Sequence, residues 1–218
     1  MEDRCKIEYV DIPATNDHTA NQTTIVLLHG APGSFRDFRY FIPLVQCPGV
    51  RIIGYEGSTV HKAHYLESIS ALPTAQLTFD ALRQLTSVNE DVFLVGHSFG
   101  AQTAVNMAAL NAAKACYISH HVMRPRANAL VIKMLGSGSP FLASLASQAV
   151  KAIYTKLFRF PADMPADVFV AAVVRAGTTD FNLAREQVAL LKRLQIATLV
   201  AWSQSDEYIQ ESIPTELG

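Results

Sequence analysis

The chain holds 218 residues, half of them hydrophobic and 17% charged, with a net charge of −1. That length suits one domain, or one domain with an insertion, and buries a core that needs no disulfide or metal to stand. A pI near 6.6 argues against a basic footprint for nucleic acid or an acidic membrane over the chain as a whole, and a mean hydropathy of +0.17 excludes a mainly disordered chain.

Apolar strand-like runs alternate with helical periods along the chain. That pattern predicts an α/β protein with a mostly parallel central sheet and helices on both faces. Residues 6–12 alternate and read as an early edge strand. The run TIVLL at 24–28 is continuously apolar, as a central parallel strand should be. His29-Gly30-Ala31-Pro32-Gly33 makes a turn after it, and Ser34 and Asp37 are spaced as a helix capping box. Phe38, Phe41, Ile42 and Val45 follow at helical intervals.

Residues 50–54 read as the next strand, and 55–72 as a polar connection holding His61 and His64. A helix over 74–88 carries Leu77, Ala81 and Leu85 on one stripe. Asp91 opens a buried strand at 92–95, Gly96-His97-Ser98-Phe99-Gly100 follows at once, and a helix starts with Ala101, Ala104, Val105 and Ala108 on its packing face. The uncharged run 92–113 holds His97, Ser98, Gln102 and Asn106, so it reads as strand plus helix rather than a membrane span.

Residues 115–119 offer a further strand. From 120 to 180 the periodicity is mostly helical, with Val150, Ile153, Tyr154, Leu157 and Phe158 on one stripe. That stretch exceeds an ordinary crossover and predicts an inserted helical cap. Leu183, Leu190, Leu191 and Leu194 mark a helix back on the sheet, and 196–202 is the last strand. The expected organisation is a core over 1–119, a cap over 120–180 and the rest of the core over 181–218.

Gly96-X-Ser98-X-Gly100 between a strand and a helix carries the strongest chemical signal. The sharp turn needs small residues on either side of a nucleophile held in a strained conformation. The helix that starts beside Ser98 points its amide dipoles at developing negative charge. The His29–Gly33 loop is either a tight strand-to-helix turn or the second half of an oxyanion hole, with amides from Ala31 and Phe99. His29, Gly30, Gly96, His97 and Gly100 then shape the loop and turn. Three widely spaced cysteines (Cys5, Cys47 and Cys116) form no disulfide framework. With no apolar run near the N-terminus, they predict a cytoplasmic protein without a secretory signal.

The segment 24–33, the Gly-His-Ser-Phe-Gly turn and Val200-Ala201-Trp202-Ser203-Gln204-Ser205-Asp206 together resemble the α/β-hydrolase superfamily in its serine-hydrolase branch. The stretch from His29 to Phe38 is also similar to an animal group within that branch. The resemblance implies Ser98 as nucleophile, Asp206 as the acid that orients a histidine, Ala31 and Phe99 as oxyanion amides, and a cap that chooses the substrate. A serine where related epoxide hydrolases carry aspartate implies acyl chemistry on a small-molecule acyl substrate, with no cofactor or metal.

One departure stands out. The family pattern puts a histidine after the acid, whereas the last histidine here is His121. Removing the histidine from such a triad costs on the order of 10⁶ in kcat. The expectation is therefore a piece of a longer enzyme whose last strand and histidine lie beyond Gly218. The rival is a non-catalytic binding protein on the same fold. His120 and His121, just past a strand end, offer a relocated base or cap-hinge polarity; His61 and His64 alone make a weak metal pair. Oligomeric state is left open by the sequence.

Overall fold

Five consecutive residues at 24–28 without a charge suit a strand covered on both faces, and that strand lies inside the sheet. The computed structural model describes residues 6–15, 23–59, 71–87, 90–111, 115–118, 128–137, 139–157, 159–178 and 180–201. The strands are β1 (Lys6–Ile12), β2 (Thr23–Leu28), β3 (Val50–Thr59), β4 (Asp91–Gly96), β5 (Ala115–Ile118) and β6 (Ala197–Val200). The α-helices are α1 (Ile42–Val45), α2 (Ala71–Leu85), α3 (Phe99–Asn111), α4 (Asn128–Leu135), α5 (Pro140–Lys156), α6 (Ala166–Thr178) and α7 (Phe181–Arg193). The sheet order is β1-β3-β2-β4-β5-β6, with β1 antiparallel and every other pairing parallel.

Alternation along the strands splits the core in two. Val26, Leu28, Ile53 and Leu94 face α2, α3 and α7, meeting Ala75, Leu82, Ala104, Ala108 and Leu191. Leu27 and Ile52 face the other way, toward Phe38, Phe41, Ile42 and Val45. Helix α3 is buried nearly all round from Ala101 to Ala108, between α2 and α7 and against the sheet. Its alanines let it approach the strands closely.

Local differences from the sequence reading have physical causes. Ser34 and Asp37 do form a capping box, but the helix they open is a 3₁₀ turn, Phe35–Phe38, followed by the separate short α1. Pro43, in the first turn of α1, has no N–H to continue a helix from upstream. Strand β3 runs on to Thr59 instead of ending at Gly54, because its second half pairs with the start of β1 from Tyr9↔Tyr55 to Lys6↔Thr59, while the Phe35 ring occupies the space a side chain on Gly54 would take. Helix α2 buries Thr74, Ala75, Thr78 and Leu82 rather than the expected leucine stripe.

Helices α4, α5 and α6 fall between β5 and α7 and pack on one another. Phe169, Val150 and Val173 form their own buried cluster, with Tyr154 and Phe160 around Phe169 at ring-centroid distances of 5.1 and 6.1 Å. The expected apolar stripe on α5 divides. Val150 faces inward, Ile153 and Leu157 face outward, and Phe158 lies outside the described residues. Among the described residues no helix is long and apolar enough to cross a membrane.

Candidate active site

Strand β4 ends at Gly96 and α3 begins at Phe99, leaving only His97 and Ser98 to reverse the chain. Ser98 does so at φ 54, the left-handed region where a residue with a Cβ is strained by about 1–3 kcal/mol. Three backbone hydrogen bonds hold it there. The Gly100 N–H donates to the His97 carbonyl (2.9 Å), the Ala101 N–H to the Ser98 carbonyl (2.9 Å), and the His97 N–H to the Leu28 carbonyl (3.0 Å). The flanking glycines have steric reasons to be glycine. A methyl on Gly100 would lie 1.9 Å from the Leu28 carbonyl oxygen, and one on Gly96 would lie 2.4 Å from the Gly100 carbonyl oxygen. Ser98 is half-buried at the N-terminus of α3, where the helix dipole favours negative charge.

The parallel register pairs Leu28 with Gly96, so the loops after β2 and β4 emerge side by side. A methyl built on Gly30 would sit 3.0 Å from the Ser98 Cβ and 3.2 Å from His97 Nδ1. The first loop's backbone therefore lies directly against the serine turn. His29 is buried; its Nδ1 lies 2.6 Å from the Gly30 carbonyl oxygen, an acceptor, so Nδ1 carries the proton in that bond. The His29 ring stacks on Tyr55 at 5.5 Å. Ala31 follows in the same loop and precedes a cis bond to Pro32. Behind the turn, buried Gln102 donates from Nε2 to Asn106 Oδ1 at 3.2 Å along α3.

The structure thus brings His29, Gly30, Ala31, Gly96, His97, Ser98, Phe99 and Gly100 to one end of the sheet. Strand β6 ends at Val200, paired with Ile118, which in turn pairs with Gly96. The chain leaves β6 at the level of the serine turn. Asp206 lies outside the described residues, as do His61, His64, His120 and His121. Among the described residues no three of His, Cys, Asp and Glu come together as a metal site.

Tyr55 is the site-adjacent residue that the sequence reading placed elsewhere, in the polar connection after residue 54. It is buried on β3, and its hydroxyl makes no hydrogen bond among the described residues. The signal that could have found it is the apolar pair Ile52-Ile53, which continues past Gly54 to the tyrosine.

Known folds agree with this arrangement. An enol-lactonase from Burkholderia xenovorans LB400 superposes with a TM-score of 0.67 at 13% identity, covering 98% of this chain and 84% of that one. An esterase from Exiguobacterium antarcticum gives 0.65 at 15% identity, covering 98% and 82%. The thioesterase domain from the curacin biosynthetic pathway gives 0.62 at 12% identity, covering 100% and 88%. At such identities the likeness is one of fold. A search of curated proteins gave no match. The sequence profile of the family described as alpha/beta hydrolase of unknown function (DUF1057) matches residues 4–218. The strained serine turn and the loop beside it are therefore set in a chain that belongs to this α/β-hydrolase family.

Proposed function

We propose that the protein is a serine hydrolase that cleaves a carboxylic ester, thioester or amide through an acyl-enzyme on Ser98. The observation that carries this reading is the φ of 54 at Ser98, on a two-residue turn between a central strand and a buried helix. Strain of this kind persists only where its surroundings enforce it, and it presents the hydroxyl at the tip of the turn.

In this mechanism Ser98 Oγ attacks the carbonyl carbon and its proton passes to a histidine oriented by Asp206. The amides of Ala31 and Phe99 hold the oxyanion. The C–O, C–S or C–N bond then breaks, and the leaving group departs with the proton from the imidazole. Water adds to the acyl carbon, gives its proton to the same base, and the acid product leaves with the Ser98 hydroxyl restored. Of the described histidines, His29 commits Nδ1 to the Gly30 carbonyl and its ring face to Tyr55, which suits it to shaping the loop. Helices α4–α6 act as the cap that selects the acyl substrate, and no cofactor takes part. Cys47 is an exposed free thiol, in keeping with a cytoplasmic location.

The test is hydrolysis of matched ester, thioester and amide substrates by the full-length protein and its Ser98→Ala variant. Loss of activity on the order of 10⁶ in kcat supports nucleophilic catalysis. Turnover that survives the substitution overturns it, and an inactive wild-type protein that still binds acyl compounds supports the binding-protein rival.

A further inference from the structure

Helix α5 carries two parallel ridges of opposite character. Ala146, Val150 and Tyr154, four residues apart, point into the helical cluster, the first two at 2% exposure. Phe141, Leu145, Ala149, Ile153 and Leu157, also four apart, all lie exposed. Phe141 is 74% exposed and Leu157 70%. A ridge at i, i+4 spacing is continuous along a helix and slants by about 40° at each step, so this one forms a slanting apolar strip that rises about 24 Å. Isolated exposed leucines need no explanation, but a contiguous strip does.

Along the chain, the charge on either side of the strip is one-sided. Between residues 92 and 162 the sequence has seven Lys and Arg and no Asp or Glu, while the other eleven cations share the rest of the chain with all nineteen acids. Lys156 is exposed on α5, one helical turn from Ile153 and Ala152. Arg159 is exposed two residues past Leu157, and Lys133 is exposed three residues from Leu130, itself 67% exposed on α4. The nearest acids in the chain, Asp163 and Asp167, belong to the loop before α6 and its first turn.

We propose that this strip is a docking surface for an anionic phospholipid bilayer. Phe141, Leu145 and Ile153 enter the boundary between headgroups and acyl chains, and Lys133, Lys156 and Arg159 meet the lipid phosphates. An apolar face bordered by Lys and Arg is the pattern of a helix lying in the plane of a membrane surface. A second copy is disfavoured by charge, because a symmetric contact through this face would set cations against cations. The surface requires nothing of Ser98, so it stands or falls independently of the catalytic reading.

The experiment is cosedimentation of the full chain with phosphatidylcholine vesicles, with and without about one-third phosphatidylserine. The expected result is strong binding to the anionic vesicles, weak binding to the neutral ones, and release as salt is raised. Leu145→Glu removes the binding, and Lys156→Gln lowers partitioning about fivefold. Circular dichroism verifies that the variants are folded; should Leu145→Glu unfold, the Lys156→Gln result decides. No cosedimentation, equal binding to both vesicle types, or binding untouched by a folded Leu145→Glu overturns the proposal. So does a vesicle-free dimer that Leu145→Glu dissociates, which would assign the strip to a second copy.

Discussion

Ser98 keeps a backbone conformation that glycine adopts freely and other residues resist, and the three hydrogen bonds around it enforce that choice. Glycine and alanine at this position both remove the hydroxyl, but only glycine relieves the strain. We therefore expect Ser98→Gly to be more stable than Ser98→Ala by about 1 kcal/mol in urea unfolding, since the relief exceeds glycine's extra entropy in the unfolded chain. An alanine variant of equal or greater stability would show that the turn is unstrained. The role of Gly96 was readable in sequence because its contacts, with Gly100 and Ala101, are made within the turn; that of Gly100 was readable from the Gly-X-Ser-X-Gly motif alone, since its close neighbour is the distant Leu28 carbonyl. Tyr55 was not, because what allows Gly54 inside a strand is the ring of Phe35, nineteen residues earlier. Nothing local to Gly54 reports that neighbour.

Among the elements, the antiparallel edge is fastened by a two-pronged ion pair. Arg51 on β3 donates from Nε to Asp11 Oδ1 at 3.0 Å and from Nη2 to Oδ2 at 2.6 Å. Its Nη1 also donates to the Leu85 carbonyl at 2.7 Å, at the last residue of α2. One guanidinium thus ties β1, β3 and a helix end together. The hydrogen bonds from Arg51 hold the Asp11 carboxyl below its ordinary pKa, against a smaller opposing effect of burial. A carboxyl depressed on folding stabilises the protein above its unfolded pKa, about 3.9, and that contribution is lost as pH falls through the folded value. The pair is partly solvent-screened, so Asp11→Asn should cost no more than about 1 kcal/mol at neutral pH. Its stability curve should converge with that of the wild type at the most acidic pH that leaves both folded. A deficit unchanged across that range would place the effect in packing instead of charge.

The same scale explains which elements the sequence revealed. Strands β1, β2 and β4 follow from alternation or apolar runs, and the capping box is a local motif. The buried side of α2 was misread because threonines count as polar. Thr78 satisfies its hydroxyl on the Thr74 carbonyl at 2.7 Å, which frees that side of the helix to face the core. On α5, periodicity identified an apolar stripe without saying that half of it would remain outside.

At the scale of the molecule, strand order gives the site its place. Neighbouring parallel strands end level with one another, so the His29–Gly33 loop and the serine turn meet although nearly 70 residues separate them. The order of motifs along the chain already implied that meeting; the cap helices' placement and packing did not follow from periodicity, since helical segments of similar pattern can dock in many ways. The most direct test of the site is covalent labelling of the full-length protein with a fluorophosphonate probe, followed by peptide mass mapping. A single adduct on Ser98, absent from Ser98→Ala, is the result we expect. Labelling that persists in Ser98→Ala, or an adduct mapped to another residue, would contradict the assignment of Ser98 as the nucleophile.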